Sequence, residues 1–215
     1  MFHILRSGFV TLSLLLWAWA AAAASITVTV TDDAGRPVPD AVVTVTAPAG
    51  TPAPPLGSSR LATATINQLD EVFVPSVVVI RTGGTVTFRN SDAIRHHVYS
   101  FKQTRRFEMV QQPGETSQPM VFDKPGAVAI GCNIHDHMTA YVLVTDAPWA
   151  QVTDATGTAL IDDLPPGQVV ASVWHPRLRP ASDPPAHALT LETAASALAV
   201  TIPILPPRRP RAREY

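Results

Sequence analysis

Four side chains that bind soft or borderline metal ions stand within seven residues of one another in this sequence. Residues 131–138 read Gly-Cys-Asn-Ile-His-Asp-His-Met, and Cys132 is the single cysteine of the 215-residue chain. Sulfur and imidazole donors suit copper, and two histidines and a cysteine in a plane with a weak axial methionine make a blue-copper arrangement. The segment therefore predicts a site for one copper ion that alternates between Cu(I) and Cu(II).

A blue-copper arrangement needs a further imidazole from elsewhere in the chain. Residues 95–101, Arg-His-His-Val-Tyr-Ser-Phe, offer two adjacent histidines where a strand is expected. The predicted ligands are His96 or His97, Cys132, His135 and Met138. The residues alone leave two alternatives open: a closed tetrahedral zinc site that uses His137 in place of the thioether, and a site that binds no metal.

The pattern of apolar residues predicts an all-β chain with no long helix. Alternating or β-branched runs occur throughout the sequence, and a proline-rich connection separates residues 26–46 from the rest. Residues 61–146 are expected to form an antiparallel sandwich, with Gly83-Gly84 as the turn between its first two strands. The strands expected in the chain are 26–31, 41–46, 76–80, 85–88, 97–101, 120–122, 127–132, 140–144, 168–174 and 198–204.

The ends and the composition of the chain predict an exported protein. Residues 1–24 carry Arg6, an apolar run and a run of alanines, as in a secretory signal peptide. No later segment is apolar enough to span a membrane, so no stable span is expected after cleavage. A formal net charge of −1 argues against nucleic acid as a partner, and the basic, proline-rich tail 206–215 is expected to be disordered.

The two histidine segments resemble those of the cupredoxins. The C-x-x-H-x-x-M loop at 132–138 is similar to the short ligand loop of amicyanin, and in the plastocyanin and amicyanin pattern the first ligand aligns with His96. His97 departs from that pattern, which has asparagine there. A resemblance over nearly the whole mature chain, carried by residues 67–75, 90–101, 131–138 and 174–178, is to periplasmic cupredoxin-like proteins labelled methylamine utilization protein.

These resemblances imply a periplasmic copper protein with two β-sandwiches. Residues 61–146 would be a cupredoxin Greek-key sandwich. Residues 28–43 and 153–167 resemble the two halves of a prealbumin-like (carboxypeptidase-regulatory-like) module. We therefore expect segments 25–48 and 148–205 to form one prealbumin-like sandwich that the copper domain divides as an insertion.

The expected function is one-electron transfer to periplasmic redox partner proteins, without catalysis. The sequence has no Ser-His-Asp arrangement, no paired carboxylates with a plausible cleft and no phosphate-binding glycine loop. The alternatives are a copper storage or delivery protein and a binding module that copper merely stabilises. Among other polar residues, His175 is expected to be structural, and Gln68 and Glu108 to lie at the surface or cap an element.

Overall fold

The structure, a computed structural model, describes residues 23–179 and 184–206. The predicted leader, 1–24, lies outside the described residues except for residues 23 and 24, and Ala24 already belongs to the first strand. The predicted tail, 206–215, lies outside them except for residue 206. Over the described ranges, no helix is long and apolar enough to cross a membrane.

Strands make up nearly all the regular structure of the described residues, so the chain is all-β as predicted. One 3-10 turn, Leu56–Ser58, lies in the proline-rich connection. The strands are β1 (Ala24–Asp32), β2 (Val42–Thr46), β3 (Thr63–Leu69), β4 (Val72–Val74), β5 (Val77–Arg81), β6 (Gly84–Asn90), β7 (His96–Lys102), β8 (Arg105–Gln111), β9 (Met120–Phe122), β10 (Gly126–Cys132), β11 (Thr139–Thr145), β12 (Trp149–Val152), β13 (Thr158–Leu164), β14 (Gly167–Trp174), β15 (Ala186–Leu191) and β16 (Ala195–Ile202).

The first two strands pair with the last five, and together they form the flanking sandwich. One sheet has the order β13-β1-β16 and the other the order β12-β2-β14-β15. Side chains of Ile26, Val28 and Val30 point inward at every second position of β1 and are fully buried, as the alternating sequence requires. Backbone hydrogen bonds thus connect chain segments that lie on either side of β3–β11. The likeness of this sandwich to prealbumin-like modules stays a prediction.

Strands β3–β11 form a second sandwich, the inserted unit. Its sheets have the orders β5-β11-β10-β7-β8 and β4-β3-β6-β9. Phe88 and Phe122 lie at the centre of its core with Ile66, Ile80 and Ile130, all fully buried. Burial of each such side chain contributes about 1.5–3 kcal/mol, and this core supports the strand ends that carry the candidate ligands.

The expectation of a purely antiparallel inserted sandwich is wrong. β5 pairs with β11, and β3 with β6, in parallel registers. The Gly83-Gly84 turn exists, with Gly83 at a φ of 86° that suits glycine, but it does not close a hairpin. It carries the chain from β5 in one sheet to β6 in the other, because both strands find their hydrogen-bond partners far away in sequence.

The flanking sandwich packs against the outer face of the inserted unit. Val77 and Val79 of β5 form a buried cluster with Val42 of β2, joined by partly buried Trp174 and Tyr141. The rings of Trp174 and Tyr141 meet edge to face with their centroids 6.3 Å apart. The outer face of β5 and β11 is therefore part of an intramolecular interface.

His175 is buried beside this interface, in keeping with a structural role. It is 4% exposed, and its Nδ1 accepts the backbone N–H of Arg177 at 3.0 Å. Burial lowers its pKa to about 4 from an ordinary 6.5, and the charge of Arg177 acts in the same direction, while Asp40 and the backbone of Pro39 oppose the shift. His175 is therefore neutral in the folded protein near pH 7.

The depressed pKa of His175 predicts a loss of stability in mild acid. Between pH 6.5 and about 4 the unfolded imidazole takes up a proton that the folded one does not, so stability falls as pH falls through this window. We expect the free energy of unfolding of the metal-free protein to decrease by up to about 3 kcal/mol from this group. Denaturant titrations across the window should show a smaller pH slope for His175→Gln, and equal slopes would contradict the prediction.

Candidate metal centre

The candidate donors lie at strand ends and in a loop at one end of the inserted unit: His96 begins β7, Cys132 ends β10, and the loop after β10 carries His135 and Met138. Residues 91–95 connect β6 to β7, and residues 133–138 connect β10 to β11. β7 and β10 are antiparallel neighbours, with Cys132 opposite Val98 and Gly131 opposite Tyr99. A Cβ at position 131 would lie 2.8 Å from Cζ of the Tyr99 ring, so glycine allows that ring to pack on the strand that carries the cysteine.

His96, Cys132 and His135 come together in a compact group. Nδ1 of His96 lies 3.7 Å, and Nδ1 of His135 lies 4.0 Å, from Sγ of Cys132. The two imidazole rings are 5.2 Å apart at 60°, and one donor atom from each of the three residues lies within 4.8 Å of the other two. Cys132 is 3% exposed and His96 is fully buried.

These separations fit a shared metal ion. Nitrogen at about 2.0 Å and sulfur at about 2.3 Å from one zinc-sized first-row ion, at a trigonal angle of about 120°, lie about 3.7 Å apart. The two measured distances, 3.7 and 4.0 Å, are close to this value. A buried thiol facing two imidazole nitrogens is thus a group that could hold a metal, with a soft donor set that suits copper.

Met138 lies in the same buried cluster as Cys132. Its side chain is 1% exposed, and it packs in the core of the inserted unit. The backbone N–H of Met138 donates to the carbonyl of His135 at 3.0 Å, so a tight turn returns the chain to the interior after the exposed part of the loop. The thioether is therefore inside the sandwich, at the end of the loop that follows Cys132 and carries His135.

The other two histidines of these segments lie outside the group. His97 points to the opposite face of β7, where its Nε2 is 2.7 Å from Oε1 of Glu108 and its Nδ1 is 3.4 Å from the Asn133 amide. His137 is exposed, with its ring 6.0 Å from that of His135. Of the two adjacent histidines, His96 is the one that faces the sulfur. His137, which the zinc alternative requires as a ligand, does not belong to the group.

Asp92 holds His96 from the side away from the sulfur. Its Oδ2 lies 2.7 Å from Nε2 of His96 and accepts the backbone N–H of Glu71 at 3.1 Å, while Oδ1 accepts that of Asp70 at 2.6 Å. Burial raises the pKa of Asp92, but the hydrogen bonds from His96 and from the two backbone groups outweigh it, and the net pKa is lowered. The ionised carboxylate thus favours a proton on Nε2 of His96 and leaves Nδ1 free as a ligand.

A second carboxylate stands beside the other imidazole. Oε2 of Glu71 lies 3.6 Å from Nε2 of His135, which is an ion-pair distance and longer than a hydrogen bond. Neither Asp92 nor Glu71 was assigned a role from the sequence. Asp92 carries a sequence signal, since it stands four residues before His96 in the polar loop that leads into β7, whereas Glu71 becomes a neighbour only through the fold.

A buried amide network braces the strand ends next to the site. Nε2 of Gln68 donates to Oε1 of Gln111 at 2.7 Å, and Nε2 of Gln111 donates to the carbonyl of Phe88 at 2.9 Å. Gln111 is paired with His96 across β7 and β8. The expectation that Gln68 lies at the surface is wrong, because it is fully buried and connects the two sheets; Glu108 is exposed, as expected.

The contacts of Asp92 predict a large contribution to the stability of the metal-free protein. Asp92→Ala removes three hydrogen bonds to one carboxylate, and we expect the free energy of unfolding to decrease by about 3 kcal/mol. The exposed Asp136 offers a matched control, because Asp136→Ala should change the free energy of unfolding by less than about 0.5 kcal/mol. Denaturant titration measures both, and similar small effects would contradict the role of Asp92.

Comparisons with known proteins give structural relatives only. No protein-family model and no curated protein matches the chain. Amicyanin from Paracoccus versutus is 18% identical with a TM-score of 0.36, covering 48% of this chain and 97% of that one. The purple cupredoxin from Nitrosopumilus maritimus is 22% identical with a TM-score of 0.35, covering 38% and 99%.

A copper-containing nitrite reductase from Thermus scotoductus is 26% identical with a TM-score of 0.34, and the match covers 39% of this chain. It spans only 22% of the length of the reductase. Two amicyanin variants, 14% and 15% identical with TM-scores of 0.35, each match 48% of this chain. The chain is all-β, and among the solved structures that resemble about half of it are cupredoxins.

Proposed function

We propose that this chain is an exported, periplasmic, mononuclear type 1 copper protein that carries one electron at a time. His96, Cys132 and His135 would bind the ion, and Met138 would be the weak axial ligand. The observation that carries the proposal is the buried Cys132 thiol with an imidazole Nδ1 on each side, at 3.7 and 4.0 Å. No catalytic role is proposed.

The surroundings of the donors favour copper over zinc. The fourth candidate donor is a buried thioether, which is a soft ligand that suits copper, whereas the imidazole of His137 that would complete a zinc set is exposed. Copper bound there would supply a one-electron couple between Cu(I) and Cu(II). The chain's own contribution is rigidity, since His96, Cys132 and Met138 are fixed by two packed sheets.

Exchange of electrons with a partner requires an accessible edge of the site. The side chain of His135 is 16% exposed, and the loops and strand ends at this end of the unit carry apolar side chains that are more than 40% exposed. These are Leu69, Val72, Ile94 and Ile134. An apolar surface of this kind suits brief contact with another protein, and the partners we propose are periplasmic redox proteins.

A copper storage or delivery protein is the second candidate. It is supported by the exposed imidazole of His137, whose ring centroid is 6.0 Å from that of His135. A surface imidazole next to a ligand could accept an ion on its way into or out of the site. Copper exchange would then be the function, and a stable redox couple would not be required.

Copper titration of the full chain tests the ligand set. One equivalent of Cu(II) should produce an intense visible band from the thiolate, and Cys132→Ser and His96→Ala should each remove it. His97→Ala is the matched control, because His97 lies outside the group, and this variant should keep the band. A band that survives Cys132→Ser, or one that needs His97 and not His96, would show that the assignment is wrong.

Retention of copper after reduction separates the carrier from the delivery protein. We expect a reversible couple in voltammetry and a Cu(I) form that resists removal by a chelator such as bicinchoninate, because three of the candidate donors are buried. His137→Ala should leave both properties unchanged. Rapid loss of Cu(I) that slows in His137→Ala would instead favour delivery.

A further inference from the structure

The turn between β3 and β4 has a backbone conformation that its second residue, Glu71, does not favour. Asp70 and Glu71 are the two residues of the turn, with Leu69 paired to Val72 around them. Their φ angles are 55° and 57°, as in the two-residue hairpin turn that normally takes Asn-Gly, Asp-Gly or Gly-Gly, so Asp70 suits its position and Glu71 does not. A glutamate whose backbone is in the left-handed region lowers the stability of the folded protein, and backbone strain of this kind concentrates at functional sites.

One carboxylate stabilises this turn and a candidate ligand together. Oδ1 and Oδ2 of Asp92 accept the backbone N–H groups of Asp70 and Glu71 at 2.6 and 3.1 Å, and Oδ2 also lies 2.7 Å from Nε2 of His96. The side chain of Asp92 is only 10% exposed. The position of the turn and the orientation of the His96 ring are therefore fixed by the same group.

The side chain of Glu71 extends from this turn toward the other imidazole. Its Oε2 is 3.6 Å from Nε2 of His135, so its negative charge favours a proton on that nitrogen and leaves Nδ1 toward the sulfur, 4.0 Å away. Each imidazole thus has a carboxylate at Nε2 and the thiol at Nδ1. A glycine at position 71 would suit the backbone better but would carry no carboxylate.

We propose that the strained Asp70–Glu71 turn is a positioning device for the metal centre. Its left-handed backbone directs the Glu71 carboxylate at His135 while Asp92 fixes His96, and both imidazoles then present Nδ1 to the sulfur before a metal binds. Glu71 is a positioning residue and not a ligand. The inference deepens the proposed function, since it rests on His96 and His135 being the histidine ligands.

Relief of the strain should raise stability and weaken metal binding at the same time. In the full chain, Glu71→Gly keeps the turn's backbone hydrogen bonds and should raise the Tm of the metal-free protein by about 2–4 °C. It should lower Cu(II) affinity about tenfold, as loss of an outer carboxylate does. Asp163→Gly is the matched control, because Asp163 has a φ of 57° in the flanking sandwich; it should raise the Tm and leave the affinity unchanged.

Glu71→Gln separates the carboxylate's charge from the flexibility of glycine. This variant keeps the side-chain length and the strained backbone, so its Tm should match that of the natural chain while its Cu(II) affinity falls. Proton–nitrogen correlation spectra of the metal-free protein, at a pH where the imidazoles are neutral, should show Nε2–H for His135 in the natural chain and a mixed tautomer in Glu71→Gln. Unchanged affinity and tautomer in both Glu71 variants would overturn the proposal.

The tautomer and the Tm are measured without metal, so these experiments separate the proposed copper function from the positioning role of the turn. If the natural chain bound no copper but showed the expected tautomers and their loss in Glu71→Gln, the proposed function would fail, whereas the control of the His135 tautomer by Glu71 would stand. If copper bound with the expected band and the Glu71 variants matched the natural chain in affinity and tautomer, only the positioning device would fail.

Discussion

The site depends on the antiparallel pairing of β7 with β10, which sets Cys132 opposite Val98. Side chains alternate between the two faces of a strand, so His96 shares the inward face with Val98, and His97 must face outward. A shift of one residue in this register would replace the buried imidazole with the exposed one. The core beneath, with Phe88 and Phe122 fully buried, maintains the register, and packing therefore determines which histidine meets the sulfur.

The parts that the sequence predicted are those with local signals. The clustered donors at 132–138 stand out because Cys132 is the single cysteine. Most strands whose sequences alternate regularly, such as β1 and β11, begin and end close to the predicted residues. The choice of His96 came from the resemblance to cupredoxins. The two-residue period alone leaves the choice open, because Val98 shares the face of His96 whereas Tyr99 and Phe101 share that of His97.

Other features could not be predicted because their causes are not local. β3 was missed because its inward face carries Gln68, whose burial depends on Gln111 in the opposite sheet. The hairpin of β3 and β4 was missed because Glu71 stands where such a turn usually has glycine. Asp92 accepts the backbone N–H groups of both turn residues. Parallel pairing of β5 with β11 likewise requires knowledge of which distant strands meet.

The nesting of one sandwich inside the other has a consequence for the conformational entropy of folding. Val45 of β2 pairs with Trp149 of β12, although roughly 100 residues separate these strands in the chain. Closing a long unstructured loop costs conformational entropy. In the folded inserted unit, however, Leu61 and Thr145 both bond to the backbone of residues 81–82, so its two ends emerge side by side. Once the inner unit has folded, it acts as a short connection, and pairing β2 with β12 then costs less conformational entropy than it would across an unfolded loop.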